Sequence, residues 1–152
     1  MGSRSDLEEA VKTYRRLAKR NKELLPQLAT ALNNLGEALR CKGRLNDAIK
    51  CYKEAFAIRK RLARLDERFL PDYAKTLYGY GAALLEKGDA EGLDAVIGSV
   101  LLLAEIVGKG ACHLAGLLET YSAPLLGLLS KVNPRLVRQL RDKVERALSR
   151  CR

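Results

Sequence analysis

The sequence contains no tryptophan, two phenylalanines, a single histidine and four prolines in 152 residues. Each scarcity removes a class of explanation. Without tryptophan, and with so few other aromatics, there is little on which the bases of a single-stranded nucleic acid could stack. The one histidine, His113, stands in an apolar run with no cysteine or acid at metal-ligand spacing, so a zinc site or a histidine-based catalytic constellation has no supporting residues. Four cysteines, Cys41, Cys51, Cys112 and Cys151, show neither CxxC spacing nor the density of a secreted scaffold. They read as free thiols in a reducing compartment. The opening residues, MGSRSDLEEA, hold no apolar signal core. Together these features set the expectation of a cytoplasmic protein. Gly108-Lys109-Gly110 lacks the earlier glycine and the following Ser or Thr of a phosphate loop, and reads as a turn. No enzyme class, metal or cofactor is indicated.

What is present is helix-forming. Ala, Leu, Lys, Arg and Glu dominate, and long stretches are free of Pro and Gly. An all-α class follows, in one domain spanning 1–152. The apolar stretches Ala95–Val107 and Ala111–Leu129 are too short, or too interrupted by Glu105, His113, Glu119 and Pro124, to cross a bilayer, so no membrane insertion is expected. The formal charge of +10 is uneven: residues 1–70 carry 17 basic and 9 acidic side chains, 71–130 carry 3 and 7, and 131–152 carry 8 and 2. Basic ends flank an acidic middle, a layout that draws partners of opposite sign without choosing among acidic protein, nucleic acid and lipid.

The strongest signal is an internal repeat. Shifted by 45 residues, Leu25–Gly43 (LPQLATALNNLGEALRCKG) lies on Leu70–Gly88 (LPDYAKTLYGYGAALLEKG) with nine of nineteen positions identical. Pro26 and Pro71 suit a first helical turn, and Gly43 and Gly88 suit the left-handed residue that ends a helix. Between them Leu32, Leu35 and Leu39 make one apolar stripe around Gly36, a glycine that lets a second helix approach. A second helix follows through Leu45, Ala48, Ile49, Tyr52, Ala55 and Phe56 toward Leu65. A 38-residue shift places LEEAVKTY (Leu7–Tyr14) on LNDAIKCY (Leu45–Tyr52), so the chain begins with the second helix of an incomplete hairpin. After Gly88 the copy aligns only with a two-residue insertion that puts Ala95 opposite Ala48.

Small residues (Gly36, Ala48, Ala55) alternating with bulky ones (Leu32, Leu35, Leu39, Tyr52), with a glycine at the hairpin turn, resemble the tetratricopeptide repeat in its extended form, with a period in the forties. The resemblance implies a right-handed superhelix of about seven helices, divided into a half repeat (5–24), a strong repeat (25–69), a degenerate repeat (70–110) and capping helices (111–152). In the cap, one helix is expected to break or kink at Pro124, and a last amphipathic helix follows Asn133-Pro134. Its polar side offers the pairs Arg138/Asp142, Arg141/Glu145 and Asp142/Arg146. So short a stack also leaves a homodimer through an exposed end open.

The resemblance further implies a protein-interaction scaffold that holds a peptide or helix of a partner, acidic partners included, in a concave groove. Carried onto this chain, the groove positions are Thr30, Asn33, Asn34, Glu37, Arg40 and Cys41, then Lys75, Tyr78, Ala82 and Glu86. Asparagine suits the role because its amide both donates to and accepts from a peptide backbone. For Asn33 and Asn34 the alternative is solvation, or bonding within the stack. The Lys and Asn pattern that clamps a chaperone's terminal carboxylate is absent, since those places read Asn33, Glu37 and Gly79. The alternative function is RNA binding through basic helix faces, with Arg15, Arg16, Lys19, Arg61 and Arg64 as phosphate contacts. The competing role for these cations, and for Arg59, Lys60 and Arg68 beside them, is a solvated convex surface.

Overall fold

The computed structural model describes residues 3–152; Met1 and Gly2, the first residues of the expected domain, lie outside the described part. Seven α-helices run in chain order among the described residues: α1 (Arg4–Arg20), α2 (Leu25–Cys41), α3 (Leu45–Leu65), α4 (Leu70–Lys87), α5 (Glu91–Gly108), α6 (Ala115–Leu129) and α7 (Pro134–Ser149). Single 3₁₀ turns precede α2, α4 and α6. The order is that of successive antiparallel pairs, each helix packing on the next from α1 to α7.

The local signals behave as their chemistry demands. Pro26 and Pro71 occupy the first turns of α2 and α4, where a missing N–H is harmless. The turns after α2 and α4 place Gly43 and Gly88 at φ of 76° and 96°, which a side chain would strain. Ser3 caps α1 in a reciprocal box with Asp6, and Asn133 caps α7 by accepting from the Leu136 amide at 3.0 Å.

Two apolar cores meet along the chain. The first gathers Val11, Leu28, Leu32, Leu35, Leu39, Ala48, Tyr52 and Ala55. The second gathers Val96, Val100, Leu103, Val107, Leu118, Leu125, Leu140 and Val144. Tyr52 is central to the first. It is only 2% exposed, and its ring lies between Gly36 of α2 and Gly79 of α4. A Cβ at Gly36 would sit 3.2 Å from the ring, and one at Gly79 2.6 Å from Cε1. Gly79, the position that excludes a carboxylate clamp, is therefore occupied by helix packing. Gly79→Ala is expected to lose about 1–3 kcal/mol to this overlap, outweighing the roughly 1 kcal/mol of helix propensity that alanine brings. Gly127→Ala, which meets nothing within 4 Å, should gain up to about 1 kcal/mol. Paired urea titrations check both, and equal effects would contradict the packing assignment.

Several expectations about the second half are corrected. Pro124 does not break its helix; α6 runs unbroken across it. The three ion pairs expected on α7 do not form: Arg146 reaches the Asp142 carbonyl at 3.3 Å, and Glu145 pairs with Arg152 at 3.5 Å. Exposed charges of this kind gain little by holding one geometry. The largest departure concerns the thiols. Cys112 and Cys151 form a disulfide across 39 residues, while Cys41 and Cys51 are free. The bond joins the turn before α6 to the chain just after α7, closing the last hairpin at its open end. The cytoplasmic expectation rested in part on four free thiols, and this bond removes that support. No described helix is long and apolar enough to cross a membrane.

Candidate protein-binding face

The expected groove residues come from one side of α2 and α4, which lie on either side of α3. Successive residues on a helix diverge by about 100°, and this separates Asn33 from Asn34. Asn33 is half-buried and accepts at Oδ1 from the Thr76 hydroxyl at 2.8 Å. Asn34 is half-buried too but has no hydrogen bond within the described residues, and it lines a cleft of about 310 Å³ between α1 and α2. One asparagine is thus bonded inside the stack, and the other has no partner among the described residues.

The internal bond belongs to a network that composition concealed. Arg59 of α3 is 6% exposed, not part of a solvated convex surface as expected. It donates to Thr76 Oγ1 at 2.6 Å, to the Asp72 carbonyl at 3.2 Å and to Thr30 Oγ1 at 3.2 Å. Thr30 in turn donates to the Pro26 carbonyl at 3.0 Å. Burial lowers the Arg59 pKa, partly offset by the Asp72 charge; a guanidinium nevertheless stays protonated. The network ties α2, α3 and α4 together beneath the candidate face. A sequence signal for it existed: Ala48, Tyr52, Ala55 and Arg59 recur at steps of four, three and four residues, so the arginine falls on the buried stripe of α3.

Farther along, Arg40 pairs with Glu86 at 2.9 Å, bridging α2 and α4, and its charge acts on the Tyr52 phenol, which burial nonetheless raises above its ordinary pKa. Tyr78 does not stand free. Its ring stacks on Tyr121 of α6 at 3.7 Å between centroids and 4° between planes. Burial, then the neighbouring Tyr78 and Glu37, push the Tyr121 pKa up to about 12. Tyr121 is not among the expected residues, because α6 lies beyond the clear repeat. Glu37, Cys41, Lys75 and Thr30 are exposed, Ala82 is half-buried, and Glu37 and Lys75 make no ion pair or hydrogen bond among the described residues.

The five candidate phosphate contacts are distributed differently. Arg15 is held by both carboxylate oxygens of Glu54 at 2.7 Å, and Arg16 lies a quarter-turn away around α1. Arg61 rims an apolar cleft of about 320 Å³ with Lys22 and Leu65, whereas the charge of Arg64 acts on Tyr73 of α4. Lys19 is exposed on α1. Arg15, Arg16 and Lys19 thus lie on α1, and Arg61 and Arg64 on the C-terminal part of α3. Among the described residues no three His, Cys, Asp or Glu side chains converge on a metal-sized site.

A family model described as tetratricopeptide repeat matches residues 3–61 and again residues 27–92, together more than half of the chain. The chain belongs to the tetratricopeptide repeat family. Comparison with curated proteins and with solved structures returned no match. Tetratricopeptide repeats are interaction modules, typically without catalysis, and the seven helices packed as sequential antiparallel pairs agree with that architecture. The two matches overlap across most of α2 and α3. One starts on α1 and ends within α3, and the other starts on α2 and ends at the head of α5.

Proposed function

We propose that this tetratricopeptide repeat protein is a non-catalytic adaptor holding a peptide or helix of another protein along the face that α2 and α4 share. The observation that carries the reading is the division of labour on that face. Thr30, Asn33, Arg40 and Tyr78 are engaged by Arg59, Thr76, Glu86 and Tyr121, while Asn34, Glu37 and Lys75 have no internal partner among the described residues. The engaged residues stiffen the surface, so little conformational freedom is lost when a ligand binds. The free ones supply an amide, a carboxylate and an ammonium to recognise it. The chain's charge of +10 favours partners with an acidic character.

Affinity capture at low and moderate salt, with wild type beside Glu37→Ala plus Lys75→Ala, tests the proposal. The wild-type chain should retain a protein partner at both salt concentrations, and the double variant should weaken it about tenfold or more, the effect of about 1.4 kcal/mol. Nucleic acid captured equally by both chains at low salt and released at higher salt would sink the adaptor reading, because steep salt dependence marks phosphate contacts.

A further inference from the structure

A groove of about 740 Å³ runs between α5 and α7 and takes no residue from α2 or α4. Its volume falls among those of small-molecule sites. The two helices meet where a Cβ on Gly108 would lie 3.9 Å from that of Ala147. Three cations of the lining, Lys143, Arg146 and Arg150, stand within about one turn of this contact and within about 60° of arc on α7. None of them forms an ion pair among the described residues. Arg146 donates to the Asp142 carbonyl from Nε only, which leaves its terminal nitrogens without a partner there. The nearby acids do not cancel this charge. Glu105, the carboxylate in the lining, is already paired with Lys109 at 3.2 Å. Glu145 lies on the opposite side of α7 and pairs with Arg152, and Asp142, beside Arg146, is outside the lining. Offsetting the helix dipole accounts for basic residues at the end of α7, but Lys143 stands before the last turn. The other end of the groove is apolar. Leu101 and Gly98 lie roughly two and three turns before Gly108 on α5, and Leu101 is 36% exposed. Beyond them Asp94 and Glu91, both exposed, continue the same face of α5. Along its length the groove therefore passes from an acidic approach, over an apolar floor, to a cationic end.

We propose that this groove binds a single-chain amphiphile with a phosphate head, taken up as an individual molecule. The head lies among Lys143, Arg146 and Arg150, and the alkyl chain runs along Leu102, Leu101 and Gly98. The polarity of the groove selects this class of ligand. A nucleic-acid strand, or a partner helix acidic along its whole length, would carry negative charge over the apolar floor and up to Asp94 and Glu91, where it is repelled. A molecule charged at one end only meets cations with its head and apolar side chains with its tail. Phosphate fits the cationic end better than a carboxylate does, because it brings more charge and more oxygens to two guanidinium forks and an ammonium. The inference does not rest on the adaptor reading, since the two sites share no residue.

The probe is dodecyl phosphate, titrated calorimetrically into the full chain below its micelle-forming concentration, with circular dichroism confirming that the helices persist. Saturable binding of one molecule per chain is expected. Lys143→Gln plus Arg150→Gln should weaken it at least about tenfold, whereas Arg135→Gln plus Arg138→Gln, which removes the same charge from α7 outside the groove, should leave it within about twofold of wild type. Gly98→Leu, whose Cβ has only Leu77 within 4 Å, should obstruct the tail and weaken binding comparably. Two changes leave the protein untouched: octyl phosphate should bind at least about tenfold less tightly, because fewer methylenes are buried, and dodecyltrimethylammonium, with the opposite head charge, should not saturate. Absence of saturable dodecyl phosphate binding overturns the proposal. Equal losses in the two glutamine pairs would reduce it to overall charge, and equal affinity for inorganic phosphate alone would show that the apolar floor plays no part; either result overturns it. So does binding to phosphatidylglycerol vesicles without binding of the free amphiphile, which would mark a membrane-facing surface instead.

Discussion

Tyr52→Ala should destabilise the protein by about 3–5 kcal/mol, the range for truncating a buried aromatic side chain. The upper half of that range is expected. The ring is bordered by glycines at 36 and 79, so the void left behind has no flexible side chains on those two sides to relax into it. Closing it would require α2 and α4 to move bodily toward α3, against the Arg59 network and the Arg40–Glu86 bridge that hold their spacing. Tyr52→Phe keeps the ring and removes only the hydroxyl, so it should cost no more than about 1.5 kcal/mol. Urea unfolding followed by circular dichroism distinguishes the outcomes. A shifted midpoint with an unchanged slope is expected for both variants. A loss below about 1 kcal/mol for the alanine variant would show that the tyrosine does not join the three helices.

Removing the Cys112–Cys151 disulfide should cost about 2–4 kcal/mol, because a loop of 39 residues regains its freedom in the unfolded chain. The loss should be local first. α6 and α7 pack on each other and on α5 but not on the helices before α4 in any substantial way, and α6 carries Pro124 and two glycines that weaken it as a helix. In Cys112→Ser plus Cys151→Ser, amide exchange should accelerate across residues 115–149 while α2 and α3 keep their protection. Freeing α6 would also withdraw Tyr121 from Tyr78, exposing more of the candidate binding face. Uniform acceleration along the whole chain, or none, would contradict this division.

The parts of this architecture that are legible in the sequence are those with local causes. Pro26 and Pro71 mark helix starts and Gly43 and Gly88 mark helix stops, because their backbone chemistry permits few other roles, and the bounds of α2, α3 and α4 follow. The α4–α5 pair is harder to read, since it is held by a different device. Gly81 and Gly92 bring the two backbones so close that a Cβ on Gly81 would lie 2.7 Å from the Gly92 carbonyl oxygen, and such an approach leaves no periodic large-residue pattern to align. Arg59 groups with its solvated neighbours by residue type, although its register with Tyr52 points inward. The disulfide has no sequence signature, because only the fold of α6 against α7 brings positions 112 and 151 together. For the candidate binding face, the helix register selects one side of α2 and α4. It does not tell which polar groups there are already engaged: Asn33 and Asn34 are alike in type and adjacent in sequence, and only the position of Thr76 tells them apart.

The central claim is that a protein partner lies along α2 and α4. Hydrogen exchange of the chain with and without its captured partner tests it most directly. Slowed exchange is expected along α2 and α4, while the C-terminal half of α3 and all of α7 remain as in the free chain. Protection confined to the basic stretches ending α1 and α3, and abolished by moderate salt, would contradict it.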